Sequence, residues 1–556
     1  MSKTIIYQVL PRLYTNTRGA NKKNGTITEN GCGKLNEIND AALDNLARLG
    51  VSHVWYTGIV RHASTTSYKY ISHPANANVV KGKAGSPYAI ADYYDVTPDL
   101  AEDVDHRMDE WKALVERTHR HGMKVLIDFV PNHVARGYFS DVKPDTQFGA
   151  NDDTSTPFSP QNNFYYIPGQ DFVSPVSNLD TPYVESPAKA SGNDAFTARP
   201  SVFDWYETVK LNYGCDYAPG GTHHFSPRPD TWNKMRDILT YWIQTGVDGF
   251  RVDMTHMVPV EFWRWVTAQI TARYPKIIFV GEIYETERYA DYIRSGFNIL
   301  YDKVNFYDIV RSVMTDRMPA SCITDIWRRT GNVGSHMLYF LENHDEQRLA
   351  SDEVVGNPFK ARPAYVLALT MGRGATMLYA GQEIGEPGMD EEGYSSRNGR
   401  TSIFDYWCVP SFRRNVSGFK FDGSSLLPKE KELFAWYSKV NNLVQRYEAL
   451  ATGEFYDLMW INQHIWVDSA NVYAFLRYAQ GERFLVVVNF AATSRRQCFR
   501  IPDDAWRLMG STWNECITPS DMLGNALYIG RDAINNIKER GLEVEIPAND
   551  ALILKF

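Results

Sequence analysis

The sequence predicts an α/β protein: a closed (β/α)₈ TIM barrel with a lobe inserted after the third strand and a C-terminal antiparallel β domain. Three observations predict it. Short β-branched or aromatic runs alternate with amphipathic stretches of helical period, which implies a parallel sheet. There are eight such runs, the number that closes a barrel. From about residue 450 the helical period fades and strands follow strands. No GxGxxG follows the first run, which disfavours an open dinucleotide-binding sheet.

The runs are "TIIYQVL" (4–10), "SHVWYTG" (52–58), "KVLIDFV" (124–130), "GFRVD" (249–253), "KIIFVGE" (276–282), "FNILYDK" (297–303), "HMLYFLEN" (336–343) and "ATMLYAG" (375–381). Between them, "NDAALDNLARLG" (39–50) reads as a helix capped by Asn39 or Asp40 and stopped by Gly50, and "DEWKALVERTHRHG" (109–122) as one stopped by Gly122. Residues 135–228 break the alternation with Pro, Gly, Ser, Asp and Asn; so long an aperiodic stretch suits a functional lobe over an active site. The expected division is residues 1–134 and 229–449 for the barrel, 135–228 for the lobe and 450–556 for a terminal β-sandwich.

The 556 residues are enough for one large and one smaller core. A net charge of −8 with both signs interspersed argues against nucleic-acid or anionic-membrane partners. Cysteines 32, 215, 322, 408, 498 and 516 show neither CxxC spacing nor a His-rich cluster, so free thiols are expected. The start "MSKTIIYQVLPRLY" lacks a signal-peptide progression, and no apolar run is long enough to span a bilayer; a cytoplasmic protein is expected. Aromatic residues make up 13% of the chain, which suits packing and also flat rings facing a sugar.

In a barrel of this kind reactive groups gather at the carboxyl ends of the strands. The third end supplies Asp128, Asn132 and His133, the fourth Arg251 and Asp253, the fifth Glu282, and the seventh Glu342, His344 and Asp345. Arg251 and Asp253 are two residues apart and so share one face of their strand. The expectation is that Arg251 keeps Asp253 anionic for attack, while Glu282, with no cation so close in sequence, holds a proton. Asp128 and Glu342 are expected to be structural partners.

"DFVPNH", "GFRVD", "FVGE" and "ENHD", in this order, resemble the four sequence regions of the alpha-amylase family, glycoside hydrolase family 13. "IIYQVLPRLY", "SPYAIADYYDV" (86–96) and "LYAGQEIGE" (378–386) are similar to its first strand, second βα loop and eighth strand. The resemblance implies Asp253 as nucleophile, Glu282 as acid/base and Asp345 as the third carboxylate. It also implies Arg251, His133 and His344 in the same subsite, Tyr88 beneath the sugar ring, no cofactor, and an oligosaccharide or polysaccharide partner. The implied reaction is retaining hydrolysis of α-1,4-linked malto-oligosaccharides or α-glucans. Transglycosylation or glucosyl isomerisation by the same groups, and sugar binding without catalysis, are the alternatives.

The chain departs from that pattern in places. Many amylases hold calcium between the Asn of the first region and an Asp of the lobe; here "TVKLN" (208–212) puts Lys210 at the Asp position, so no metal is expected. His256 and Met257 stand where a Lys-His pair follows the nucleophile, and Gly85 where related glucosidases carry an Asp before the stacking Tyr. "SRNGRTSIFDYW" (396–407) resembles those glucosidases and suggests Arg400 as a further sugar contact.

Overall fold

The computed structural model describes residues 2–72, 76–176, 182–389, 394, 397–463, 467–511 and 515–556. All eight expected strands form: β1 Ile5–Val9, β2 His53–Tyr56, β3 Lys124–Phe129, β4 Gly249–Val252, β5 Ile278–Gly281, β6 Ile299–Tyr301, β7 Met337–Phe340 and β8 Ala375–Tyr379. They close into one barrel in sequence order, β8 pairing back onto β1, and every pairing is parallel.

The strand period of two divides each strand between two cores. Ile6, Trp55, Leu126, Val280, Leu338 and Met377 pack together inside the barrel, while Tyr7, Val54, Ile127, Phe250, Phe279 and Leu378 belong to the larger core shared with the surrounding helices. Two residues beyond that apolar plug, on the same inward parity, stand Gln8, Asp128 and Glu282. Strand periodicity thus lifts the polar groups from the barrel interior to its mouth.

The helix Asp40–Arg48 is capped by Asn39, whose side chain accepts from the Ala42 N–H, a bond that typically contributes about 1 kcal/mol. Gly50 then ends the segment at φ +85°, a left-handed conformation that other residues adopt at a cost. The helix expected at 109–122 spans Arg107–Arg120. Between β3 and the helix Asp230–Ile243 the chain forms only short ladders, among them His133–Ala135 paired with Thr208–Lys210, which ties the inserted segment to the end of β3.

Beyond the helix Pro428–Arg446, antiparallel strands form a five-stranded sheet that includes Val472–Ala479, Glu482–Asn489 and Asp550–Lys555. A three-stranded sheet includes Leu542–Ile546. All six cysteines are free thiols, and no helix among the described residues is long and apolar enough to cross a membrane.

Candidate active site

Backbone hydrogen bonds at the tops of neighbouring strands fix the site. The Asp253 N–H donates to Phe129 O at 2.9 Å, the Glu282 N–H to Val252 O at 3.0 Å, and the Thr255 N–H to Glu282 O at 2.9 Å. In register Arg251 lies beside Asp128, and both are buried.

Arg251 is the hub. Its Nη1 donates to Asp253 Oδ1 at 2.9 Å and lies 3.6 Å from Asp128 Oδ1, while Nη2 sits 2.9 Å from Glu282 Oε2. Trp55, Tyr88 and Tyr301 surround its guanidinium, with ring centres 5.1, 5.2 and 5.5 Å from Cζ. The expectation that Glu282 lacks a nearby cation is therefore corrected: one planar fork serves both carboxylates, a sharing visible only once β4 and β5 lie side by side. Glu282 also accepts from the Tyr284 hydroxyl at 2.6 Å and from the Met254 N–H at 2.9 Å.

The second correction concerns Asp253. Burial, reinforced by the charges of Glu282 and Asp345, raises its pKa well above the usual carboxylate range in spite of Arg251. One guanidinium does not offset the burial of Asp253 and the crowding of negative charge around it. Asp345 shifts the other way. Burial pushes its pKa up, but His344, Arg251 and Arg400 more than offset this and hold it below the usual value. The Asp345 side chain is 47% exposed, so solvent screens part of that field.

The Gln8 amide donates to His344 Nδ1 at 2.8 Å, which leaves the ring proton on Nε2, 3.0 Å from Asp345 Oδ2. Tyr88 stacks on His344 with centroids 5.0 Å apart and 22° between planes, making a flat floor beside the acids. His133 packs against Trp205 at 5.2 Å, and burial first, then the charge of Lys210, pushes its pKa down to about 3. It is a neutral ring at physiological pH.

A cavity of about 300 Å³ opens on these groups, at the small end of the range for ligand sites. Tyr88, His133, Asp253, Glu282, His344 and Asp345 all line it. Arg251 and Arg400 are not among the residues that line it, and the charge of Arg400 helps to hold the Asp345 pKa down. Ser396, the first residue of the motif that suggested Arg400, falls outside the described residues. Asp128 accepts from the Gly58 N–H, and Glu342 from Arg348 and the Leu349 N–H.

The wall also contains Lys81, Trp205, Glu207, Met254, Tyr284 and Phe404, which strand-end reasoning missed because loops deliver them. Tyr284 was the most accessible of these, lying two residues after Glu282 in an extended stretch. Met254 holds a left-handed backbone at φ +42°, the local strain that aims its N–H at Glu282.

The family described as the alpha amylase catalytic domain matches residues 8–415. The chain belongs to the alpha-amylase family. It is a glycoside hydrolase of that family, and the family's C-terminal all-beta domain matches residues 466–556. Neopullulanase 2 of Thermoactinomyces vulgaris is 23% identical over 94% of this chain and 74% of its own length. A cyclomaltodextrinase of a Bacillus species is 23% identical over 87% of this chain and 72% of its own. Among solved structures, a noncanonic maltogenic alpha-amylase of Thermotoga neapolitana shares the fold at TM-score 0.62 with 20% identity, covering 100% of this chain and 98% of that one. A debranching enzyme of Nostoc punctiforme gives 0.65 with 18% identity, covering both chains fully.

The calcium common in the alpha-amylase family does not fit here. Lys210, 1% exposed, donates to Asn132 Oδ1 at 3.0 Å and pairs with Asp194 Oδ1 at 2.5 Å. Its ammonium occupies the oxygens an ion would need, and Asn132 in turn lies 3.2 Å from His133 Nδ1 through its amide nitrogen. Among the described residues no cluster of three or more His, Cys, Asp or Glu could hold a metal. Lys210→Met is expected to cost about 1–3 kcal/mol in denaturant melts by leaving the Asn132 oxygen unpaired. The wild-type melting temperature should not move on adding a chelator; a drop would place an ion where the ammonium is assigned.

Proposed function

We propose that this glycoside hydrolase cleaves α-1,4 linkages in malto-oligosaccharides or α-glucans by a retaining double displacement. The observation that carries the reading is the pairing of Asp253 and Glu282 with the two terminal nitrogens of one guanidinium at the edge of a sugar-sized cavity. An Asp253 oxygen attacks the anomeric carbon, Glu282 gives its proton to the leaving oxygen, and an ester links sugar and enzyme. Water then loses a proton to Glu282 and opens the ester, restoring the starting configuration.

Glu282 acts as the acid and Asp253 as the anion, and Arg251 faces both carboxylates. Asp345, with His344 behind it, binds hydroxyls of the distorted ring; His133 adds a neutral hydrogen-bonding group, Tyr88 the stacking face and Arg400 a positive charge acting on Asp345. Relatives named neopullulanase and cyclomaltodextrinase support glucan-type substrates. The reading includes a cytoplasmic location, in keeping with six free thiols. It also includes the division into a barrel of residues 1–134 and 229–449, a lobe of 135–228 and a terminal β-sandwich of 450–556.

Maltotriose incubation followed by product separation tests it. Glucose and maltose alone are expected. Chains longer than the input would assign the site to glucosyl transfer, and unchanged maltotriose would remove the α-1,4 assignment.

A further inference from the structure

Another cavity, of about 340 Å³, shares no lining residue with the catalytic one. Its wall combines Ser335 and Arg373, from the turns that enter β7 and β8, with Glu454, Phe455 and Arg477 of the terminal antiparallel sheet, where Phe455 pairs with Arg477 in register. It therefore lies at the amino ends of the barrel strands, on the face opposite the acids. Arg477 is wholly buried. Among the described residues both of its hydrogen bonds go to neutral carbonyls, Nε to Ala449 O at 3.0 Å and Nη1 to Met371 O at 2.9 Å, and Nη2 has no partner.

A buried guanidinium loses its hydration, and only a good counter-charge offsets that cost. Burial first, and then the charge of Arg373, hold the pKa of Arg477 below its ordinary value, with Glu454 opposing them only in part. Glu454 is already engaged: it pairs with Arg373, whose Nε also donates to Gly453 O at 3.1 Å. Lys3, also buried, donates to the O of Gly372 in the cavity wall at 2.7 Å, and the charge of Arg477 adds to burial in pushing its pKa down. Three basic side chains thus surround one acid. A guanidinium keeps its proton in proteins, so this corner carries an excess of positive charge.

The remaining wall suits a small anionic ligand. Trp327 and Phe455 offer aromatic faces with centroids 5.9 Å apart, and the exposed Asn332 and Ser335 add neutral hydrogen-bonding groups. A phosphate carries up to about two negative charges on several acceptor oxygens, which matches two guanidiniums better than one neutral carbonyl does. We propose that Arg477 and Arg373 bind a phosphate, free or as the monoester of a small molecule, where the amino ends of β7 and β8 meet the terminal sheet. Such a ligand would tie barrel and sheet together through charge, and the assignment is independent of the hydrolase reading.

Calorimetric titration of the full chain with inorganic phosphate, at ionic strength held constant with sodium chloride, tests it. Wild type should bind phosphate saturably, and Arg477→Met and Arg373→Gln should each weaken binding about tenfold or more. Phenyl phosphate serves as the second probe: tighter binding than inorganic phosphate assigns the site to a monoester, weaker binding to the free ion. Phosphate should also raise the melting temperature of wild type more than that of either variant. An equal rise in all three would be a general salt effect and would overturn the site. So would the absence of binding, affinity unchanged in both variants, or displacement of phosphate by maltotriose, which would put the anion in the catalytic cavity. Should Arg477→Met fail to fold, Arg373→Gln, whose side chain is 40% exposed in wild type, decides by the same criteria.

Discussion

Asp253→Asn should lower kcat/KM on maltotriose by about 10⁴-fold or more, the scale seen when a catalytic nucleophile is removed. The amide cannot form the glycosyl ester, yet Tyr88, His133, His344 and Asp345 remain to hold the sugar, so maltotriose should still bind in calorimetry. Stability should respond with a definite sign. The folded-state pKa of Asp253 lies above its unfolded value, so its favourable contribution is fully present below the unfolded pKa and is lost as pH rises through the folded one. An uncharged Asn does not incur that loss. The melting temperature of the variant relative to wild type should therefore rise from pH 5 to pH 8. Residual turnover within a hundredfold of wild type would remove Asp253 from the nucleophile role, and a relative melting temperature that falls with pH would show the carboxylate to be stabilised as an anion.

Arg251→Met should cause the second large effect, on both rate and stability. Among the described residues it strips the one guanidinium paired with Asp253 and Glu282 and leaves Asp128 beside them, three buried acids without their shared cation. Breaking a buried pair in this way typically costs about 3–5 kcal/mol. Losing a preorganised charge at the reacting centre should lower kcat by about 10²–10³-fold. Arg251→Lys should recover only part of either, because one ammonium cannot present two separated nitrogens to two carboxylates. Denaturant melts and steady-state kinetics at pH 5 and pH 8 would show it, with the deficit in stability larger at pH 8, where the acids ionise. A variant as stable and active as wild type would refute the hub.

Much of this was legible in the chain. Runs such as "KVLIDFV" and "GFRVD" carry both signals at once: β-branched and aromatic residues specify the strand, and the polar residue at its end marks the barrel mouth. Spacing by two predicted that Arg251 and Asp253 share a face, and they bond at 2.9 Å. Lys210 stood in the sequence where an Asp ligand would be, supplying the wrong charge and no oxygen ligand; that its ammonium bonds Asn132 and Asp194 was seen only in the structure. Lys81, Trp205 and Glu207 were not legible: nothing local in an aperiodic loop states which cavity it will border.

Sequence by itself determined the barrel, its eight strands in order, and the identity of the acids at their ends, because period and residue type are local properties that any parallel closure must respect. Only the tertiary structure decided how those acids share charge. The pairing of Arg251 with Glu282 as well as Asp253, and the raised pKa of Asp253, depend on distances between strands far apart in the chain and on the water excluded when they close. Coulombic and desolvation energies are functions of those distances, and no local pattern encodes them.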